Sequence, residues 1–152
     1  MAWQITCVGK LKKGSEYDLC QEYIKRCSTK ISIVEVEEKR PLSEDELKQK
    51  EARLMLDTIP SGAIIVALDE RGKTMSSPDF AEKIQGFEMD GKSNIVFIIG
   101  GAFGLHPTIR QKSDMTISFG QMTFPHMMVR AMLCEQLYRA RAILSGHPYH
   151  KV

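Results

Sequence analysis

Apolar and polar positions follow two periods along this chain, and the switches between them mark its elements. ITCVG (5–9) is a short run of β-branched and small apolar residues and predicts a first strand. Helical spacing then takes over at Tyr17, Cys20, Tyr23, Ile24 and Cys27, with Ser15 and Asp18 as a cap pattern in front. ISIVEVEE (31–38) alternates apolar and polar residues, as an edge or half-exposed strand does. Ser43 with Glu46 makes a capping box that opens a charged, peripheral helix with Leu47, Leu54 and Met55 inward, ending before Pro60 and Gly62.

AIIVALD (63–69) and NIVFIIGG (94–101) are apolar on both faces, which predicts strands covered by helices on each side. Between them, Ser77-Pro78-Asp79 predicts an N-cap with proline at the first helical position, followed by the stripe Phe80, Ile84, Phe87. A short helix over 106–112 and a strand over 116–119 come next. A long last helix starts after Pro125, with Val129, Met132, Leu133, Leu137, Ala140, Ile143 and Leu144 in period, and Gly146 and Pro148 stop it. This alternation predicts one α/β domain over residues 1–152, a mostly parallel sheet with helices on both faces.

One string competes with that reading. GFEMDGKS (86–93) matches the phosphate-cradling pattern G-x-x-x-x-G-K-S. Such a loop works only where a strand enters the turn and a helix leaves it, so that helix N–H groups surround the phosphates. Here a helix enters and a strand leaves, so Asp90-Gly91 reads as a helix stop.

Composition narrows the class. With 43% hydrophobic and 26% charged residues among 152, the chain has the profile of an ordinary globular protein. Its longest apolar runs are a handful of residues, far below the roughly 20 that a bilayer requires. MAWQITCVGK enters a strand with no charged leader or cleavage pattern, so the expected location is the cytoplasm. Cys7, Cys20, Cys27 and Cys134 show no metal-ligand spacing and read as core thiols, so no metal is expected. The net charge of +2 argues against coating nucleic acid by charge alone, leaving local clusters: Lys10, Lys12 and Lys13 early, and Arg130, Arg139, Arg141, His147, His150 and Lys151 late.

Ligands of open α/β sheets bind beyond the carboxyl ends of central strands. That rule selects Leu68-Asp69, Gly100-Gly101 and residues 119–124. Gly-Gly after a buried strand lets a ligand or another segment approach the backbone, but GGAFG lacks the G-x-G-x-x-G fingerprint of dinucleotide sites.

Three segments carry a resemblance: IIGGAFGL (98–105), SFGQMTFPHMMVRAMLCEQLYRA (118–140) and the terminal HPYHK (147–151). In that order they resemble the ribosomal RNA large subunit methyltransferase H family of the SPOUT class, and the similarity extends to the chain's length and its early VGK. The resemblance implies a homodimer that uses S-adenosylmethionine to methylate N3 of a pseudouridine in large-subunit (23S) ribosomal RNA on assembled ribosomes. It also implies a C-terminal trefoil knot, whereas the strand and helix pattern alone points to an unknotted, flavodoxin-like sheet.

Carried over by motif, the cofactor lies against Leu68, Gly100, Phe119, Gly120, Gln121, Met122, Thr123 and Phe124. Arg139 of LYRA, with Tyr149 and His150, is implied to be catalytic, although Arg139 also stands four residues after Glu135 and fits a surface ion pair. His126, Arg130, His147 and Lys151 are implied substrate contacts; His126 alternatively orders the turn at Pro125. The tail offers an aromatic face, two imidazoles and a cation, a mix suited to an extruded base and its phosphate. It is implied to complete the site, reaching the partner subunit's pocket. Other readings are a SPOUT-type enzyme acting on transfer RNA, or a nucleotide-binding module without methyl transfer.

Overall fold

A computed structural model describes residues 2–151. The elements run in chain order β1 (Ala2–Val8), α1 (Ser15–Arg26), β2 (Lys30–Val36), α2 (Glu44–Leu56), β3 (Ile64–Lys73), α3 (Ser77–Met89), β4 (Asn94–Ile99), α4 (Pro107–Lys112), β5 (Met115–Ile117) and α5 (His126–Ser145). The strands form one parallel sheet in the order β2-β1-β4-β3-β5.

Side-chain alternation explains the three layers. Ile95, Phe97 and Ile99 of β4 point to one face with Trp3, Ile5 and Cys7 of β1, where they meet Cys20 of α1, Phe80 and Ile84 of α3, and Leu133, Cys134 and Leu137 of α5. Val96 and Ile98 point to the other face, with Val8 and Ala67, against Ala52 and Met55 of α2 and Ile109 of α4. The central strand is thus buried on both sides, as its unbroken apolar run requires. β2 lies at an edge, which its alternating pattern predicts. Among the described residues no helix is long and apolar enough to cross a membrane.

Turn chemistry matches the sequence in most places and differs in two. Ser43 caps α2, accepting from the Glu46 N–H at 3.3 Å while its hydroxyl donates to Glu46 Oε1 at 2.9 Å. At α1 the cap residue is Gly14, without a side-chain bond, so Ser15 and Asp18 sit inside the first turn. At α3 the cap is Ser76 rather than Ser77, because Ser76 stands three positions before Asp79 and its Oγ accepts the Asp79 N–H at 3.2 Å. Ser77 instead donates from its hydroxyl to Gln136 Oε1 of α5 at 2.7 Å.

GFEMDGKS closes α3. Gly91 takes φ 78°, and the Lys92 N–H reaches back to the Phe87 carbonyl at 2.9 Å, the left-handed ending that frees the chain to enter β4.

Where β3 ends, the chain makes an unusual excursion. Leu68 and Lys73 both pair with Ile117 of β5, and the Ser118 N–H donates to the Lys73 carbonyl at 3.0 Å. Residues 69–72 are the register shift between those two pairings. A Cβ on Gly72 would lie 2.7 Å from the Ile117 backbone, so only glycine fits that position.

Candidate active site

The carboxyl ends of β3, β4 and β5 open into one cleft of about 720 Å³. That is within the roughly 300–1,000 Å³ usual for small-molecule sites. Leu68, Ile99, Leu105, Phe119, Phe124 and Val129 give it apolar walls, and Glu44, Asp69 and Glu70 an acidic rim. Of the expected cofactor residues, Leu68, Gly100, Phe119, Gly120, Met122, Thr123 and Phe124 line it; Gln121 is exposed and does not.

Local bonds shape this cleft. Ser118 Oγ accepts the Gly120 N–H at 3.0 Å and donates to the Gly120 carbonyl at 2.8 Å, fixing the turn after β5. The Thr123 hydroxyl donates to Glu70 Oε2 at 3.2 Å, tying the far end of that segment to the β3 excursion. Asp69 is held by Arg110 at 3.3 Å and lies 3.7 Å from Arg71, so its charge is compensated.

The requirement for glycine at position 100 comes from the protein itself. A Cβ there would meet the Gly104 backbone at 2.8 Å and Leu105 Cδ2 at 3.0 Å, because the GGAFG loop folds back on its own start. Gly101 is tight for a related reason: its added Cβ would sit 3.0 Å from Val8 and 3.2 Å from Glu51 Oε2 of α2. Glu51 is buried, and burial pushes its carboxyl above the usual carboxylate range.

A second group of expected residues gathers on α5 and the tail. Arg139 donates from Nε and Nη2 to the Glu135 carboxylate, at 3.2 and 2.7 Å, and its Nη1 lies 3.0 Å from His150 Nδ1. The Tyr149 hydroxyl donates to Glu135 Oε2 at 2.8 Å, while the Arg139 guanidinium stacks over the Tyr149 ring at 4.8 Å. Burial, then the hydrogen bonds to Tyr23 and Glu135, push the Tyr149 hydroxyl pKa up, so it stays protonated. The Glu135 carboxylate raises the pKa of Arg139 in turn. Arg26 of α1 and Tyr138 of α5 complete the setting: Arg26 lies 5.3 Å from the Tyr149 ring and 4.7 Å from the Tyr138 ring, which packs edge-on against Tyr149 at 4.7 Å.

Within one chain these groups do not meet. Arg139 lines a second cleft of about 540 Å³ with Met75, Ser77, Phe80, Met132, Glu135 and Gln136. The two clefts share Ile117, Ser118 and Phe119. His147 is exposed, its Nδ1 accepting the Tyr149 N–H at 3.2 Å, and Lys151 is exposed. His126 lines the cofactor cleft; burial, helped by the nearby Arg130 charge, holds its imidazole below the ordinary range.

Arg130 corrects an expectation. Its side chain is 1% exposed and its Nη1 donates to Glu35 Oε2 at 2.5 Å, so it lies beneath the surface rather than on it. Burial raises the Glu35 pKa, but the Leu11 N–H and the Arg130 guanidinium outweigh it and leave this carboxyl below the usual range.

Sequence reasoning gave Glu135 only a surface ion pair and passed over Arg26, Tyr23 and Tyr138. The spacing of Glu135 and Arg139 did carry a signal; the α1 residues come near the tail only through helix packing. Among the described residues no group of three or more His, Cys, Asp or Glu side chains is placed to hold a metal.

A family model described as "Predicted SPOUT methyltransferase" matches residues 1–150. The ribosomal RNA large subunit methyltransferase H of Paramagnetospirillum magneticum is 50% identical over 147 residues, covering 97% of each chain. The chain belongs to the ribosomal RNA large subunit methyltransferase H family. Another family member so named, from Rhodospirillum centenum, is 44% identical over 97% of each chain.

Solved structures show the shared fold alone. A putative methylase family protein from Neisseria gonorrhoeae superposes with a TM-score of 0.58 at 12% identity, over 99% of this chain and 95% of that one. The SpoU methyltransferase AviRb from Streptomyces viridochromogenes gives 0.50 at 15% identity, over 95% of this chain and 61% of its own. As a family member the chain is an S-adenosylmethionine-dependent methyltransferase, and the cleft fits that molecule: apolar walls for a neutral ring, with Glu44 and Glu70 at the rim for a cationic end and Arg71 for a carboxylate.

Proposed function

We propose that this protein methylates N3 of a pseudouridine in large-subunit (23S) ribosomal RNA, on assembled ribosomes in the cytoplasm, as a metal-free homodimer of one domain over residues 1–152. The observation that carries the reading is a division of labour. A ring-binding cleft lies at the strand ends, and a polar cluster of Arg139, Glu135, Tyr149 and His150 lies across Phe119 from it. Neither half suffices alone. A two-fold dimer that sets one protomer's tail against the other's cleft would join them, which supports both the dimer and a tail acting in trans. The curated relatives bearing the ribosomal RNA name support the substrate.

In this reading Leu68, Gly100 and residues 119–124 hold S-adenosylmethionine, with Gln121 in contact only through its backbone or after a rearrangement. The bound molecule supplies an electrophilic methyl group on a sulfonium. The chain's task is then placement, which contributes much of the rate when the donor is already activated. Arginine has donors only, so His150 Nδ1 must accept from Arg139, and the neutral ring carries its proton on Nε2, free to donate to a uracil carbonyl. Tyr149, kept protonated, offers a ring face for stacking. His147 and Lys151 take phosphate contacts in this reading, which their exposure supports; lysine keeps the charge of such a contact without the two-pronged geometry of arginine. His126, uncharged at neutral pH, contacts RNA from the cleft wall as a hydrogen-bonding group.

The knot belongs to the same proposal. Its support is the excursion of β3 in which Leu68 and Lys73 both pair with Ile117, the last residue of β5, from which the chain goes on to α5.

The test is labelling. With radiolabelled S-adenosylmethionine, intact ribosomes, separated subunits and transfer RNA, the large-subunit RNA alone should take up label at a pseudouridine. Label on transfer RNA alone would replace the substrate assignment. ATP binding lost in Lys92→Ala, with no affinity for S-adenosylmethionine, would overturn the methyltransferase reading.

A further inference from the structure

Arg130 is buried, and a buried guanidinium is costly where its donors go unmet; Nε has no partner among the described residues, so the terminal nitrogens do the anchoring. Its two terminal nitrogens have specific partners: Nη1 donates to Glu35 Oε2 at 2.5 Å and Nη2 to the Gly9 carbonyl at 3.2 Å. The same Glu35 oxygen accepts the Leu11 N–H at 2.7 Å, and the Gly9 N–H donates to the Val36 carbonyl at 2.8 Å. Three backbone groups in three residues are therefore fixed from below.

The loop so fixed lies against the cleft. Gly9 takes φ 91°, and a Cβ on it would come 3.2 Å from Met127 Cε and 3.7 Å from Cε1 of His126, the residue that lines the cleft wall. On its outer side the loop presents Lys10, Lys12 and Lys13, all exposed and in no ion pair among the described residues. The neighbouring cations Lys39 and Arg40 are each paired with a glutamate. Glu35, the acid beneath the loop, is occupied by Arg130 and the Leu11 N–H.

We propose that the loop of residues 9–14 is an RNA-contacting surface beside the cleft, in which Lys10, Lys12 and Lys13 meet substrate phosphates and Arg130 acts beneath them as a positioning residue. This rests on the ribosomal RNA reading above. A target base in the cleft leaves its flanking phosphates at the cleft's rim, and lysine is a point charge that takes a phosphate without demanding one geometry. A chain of net charge +2 has little long-range attraction for RNA, so a local set of unpaired cations carries more of the binding.

The experiment measures kcat/KM on ribosomes across a salt series, with cofactor affinity measured separately by calorimetry. A triple variant Lys10→Ala, Lys12→Ala, Lys13→Ala alters exposed side chains only. It should keep cofactor affinity within about twofold while kcat/KM falls about tenfold at 0.1 M salt. The slope of log kcat/KM against log salt should shrink by about two units, since each lost phosphate contact removes roughly 0.7–0.9. Arg130→Lys keeps the charge but cannot reach both partners. It should lower kcat/KM on ribosomes and speed hydrogen exchange at Gly9 and Leu11, again sparing cofactor affinity. Wild-type turnover with an unchanged slope in the lysine variant overturns the loop assignment. Absence of wild-type turnover on ribosomes overturns the substrate reading itself. If Arg130→Lys fails to fold, the lysine variant decides.

Discussion

Arg130 and Arg139 stand on the same helix, and burial gives them different work. Arg130 is enclosed and ion-paired with Glu35, whereas Arg139 reaches the tail and holds His150 in one tautomer. Replacing Arg139 with lysine keeps a charge but loses the fork that spans Glu135 and His150. We expect kcat on ribosomes to fall about a hundredfold, the lower range for a group acting on a transition state, with cofactor affinity unchanged by calorimetry. An equal loss of cofactor affinity would place Arg139 in the cofactor site instead.

Glu51 poses a different question at the same scale, since its folded pKa is raised by burial beside Gly101. The stability it contributes is fully present below its unfolded pKa, about 4.3, and is lost as pH rises through the folded value. Glu51→Gln should therefore raise the melting temperature at pH 7.5 by about 2–4 °C, what roughly 1 kcal/mol does in a chain of this length. The gain should vanish near pH 4. A gain that persists at pH 4 would mean that the charge is not the cause.

Among elements, α1 and α5 pack together, and their contact forms the seat of the tail. Tyr149 rests against Tyr138 with the Arg26 guanidinium 5.3 Å from its ring, and its hydroxyl lies 3.5 Å from that of Tyr23. Arg26→Ala removes this cation while leaving Glu135 and Arg139 intact. Kcat should drop several-fold and protease cleavage after Tyr149 should speed up, since an exposed cation–π contact is worth about 0.5–1 kcal/mol. Cleavage at the wild-type rate would show that Arg26 does not hold the tail.

The helix boundaries were legible because caps and periodicity are local. Ser43 caps α2 as its spacing with Glu46 requires, and Gly91 ends α3 despite the phosphate-loop lettering around it. The misplaced caps at Ser15 and Ser77 reflect runs such as Ser76-Ser77, where neighbouring residues suit the role and geometry selects one.

For the whole molecule, the tail tests how the halves of the site combine. Removing residues 147–152 takes away the Tyr149 ring and its bonds to α1 and α5. An aromatic pair is worth about 0.5–1.5 kcal/mol beyond its area, so the melting temperature should fall by a few degrees with the fold intact. Turnover on ribosomes should disappear while cofactor affinity stays. Mixing this truncated chain with a full-length chain whose cleft is blocked by Phe124→Arg reports on the dimer: recovered turnover in the mixture means that one protomer's tail serves the other's cleft, and no recovery argues for action within one chain.

The sequence by itself determined the order of elements, the doubly buried central strands and the three strand ends that line the cleft, because periodicity and turn chemistry are short-range properties. It also carried the family, through glycine and tail segments whose lettering is specific. Only the tertiary structure decided that Gly100 is required by its own loop, that Arg130 lies inside, and that α1 supplies the seat for the tail. Those facts depend on which surfaces meet across more than a hundred residues, as Arg26 and Tyr138 do. No local period records such a meeting.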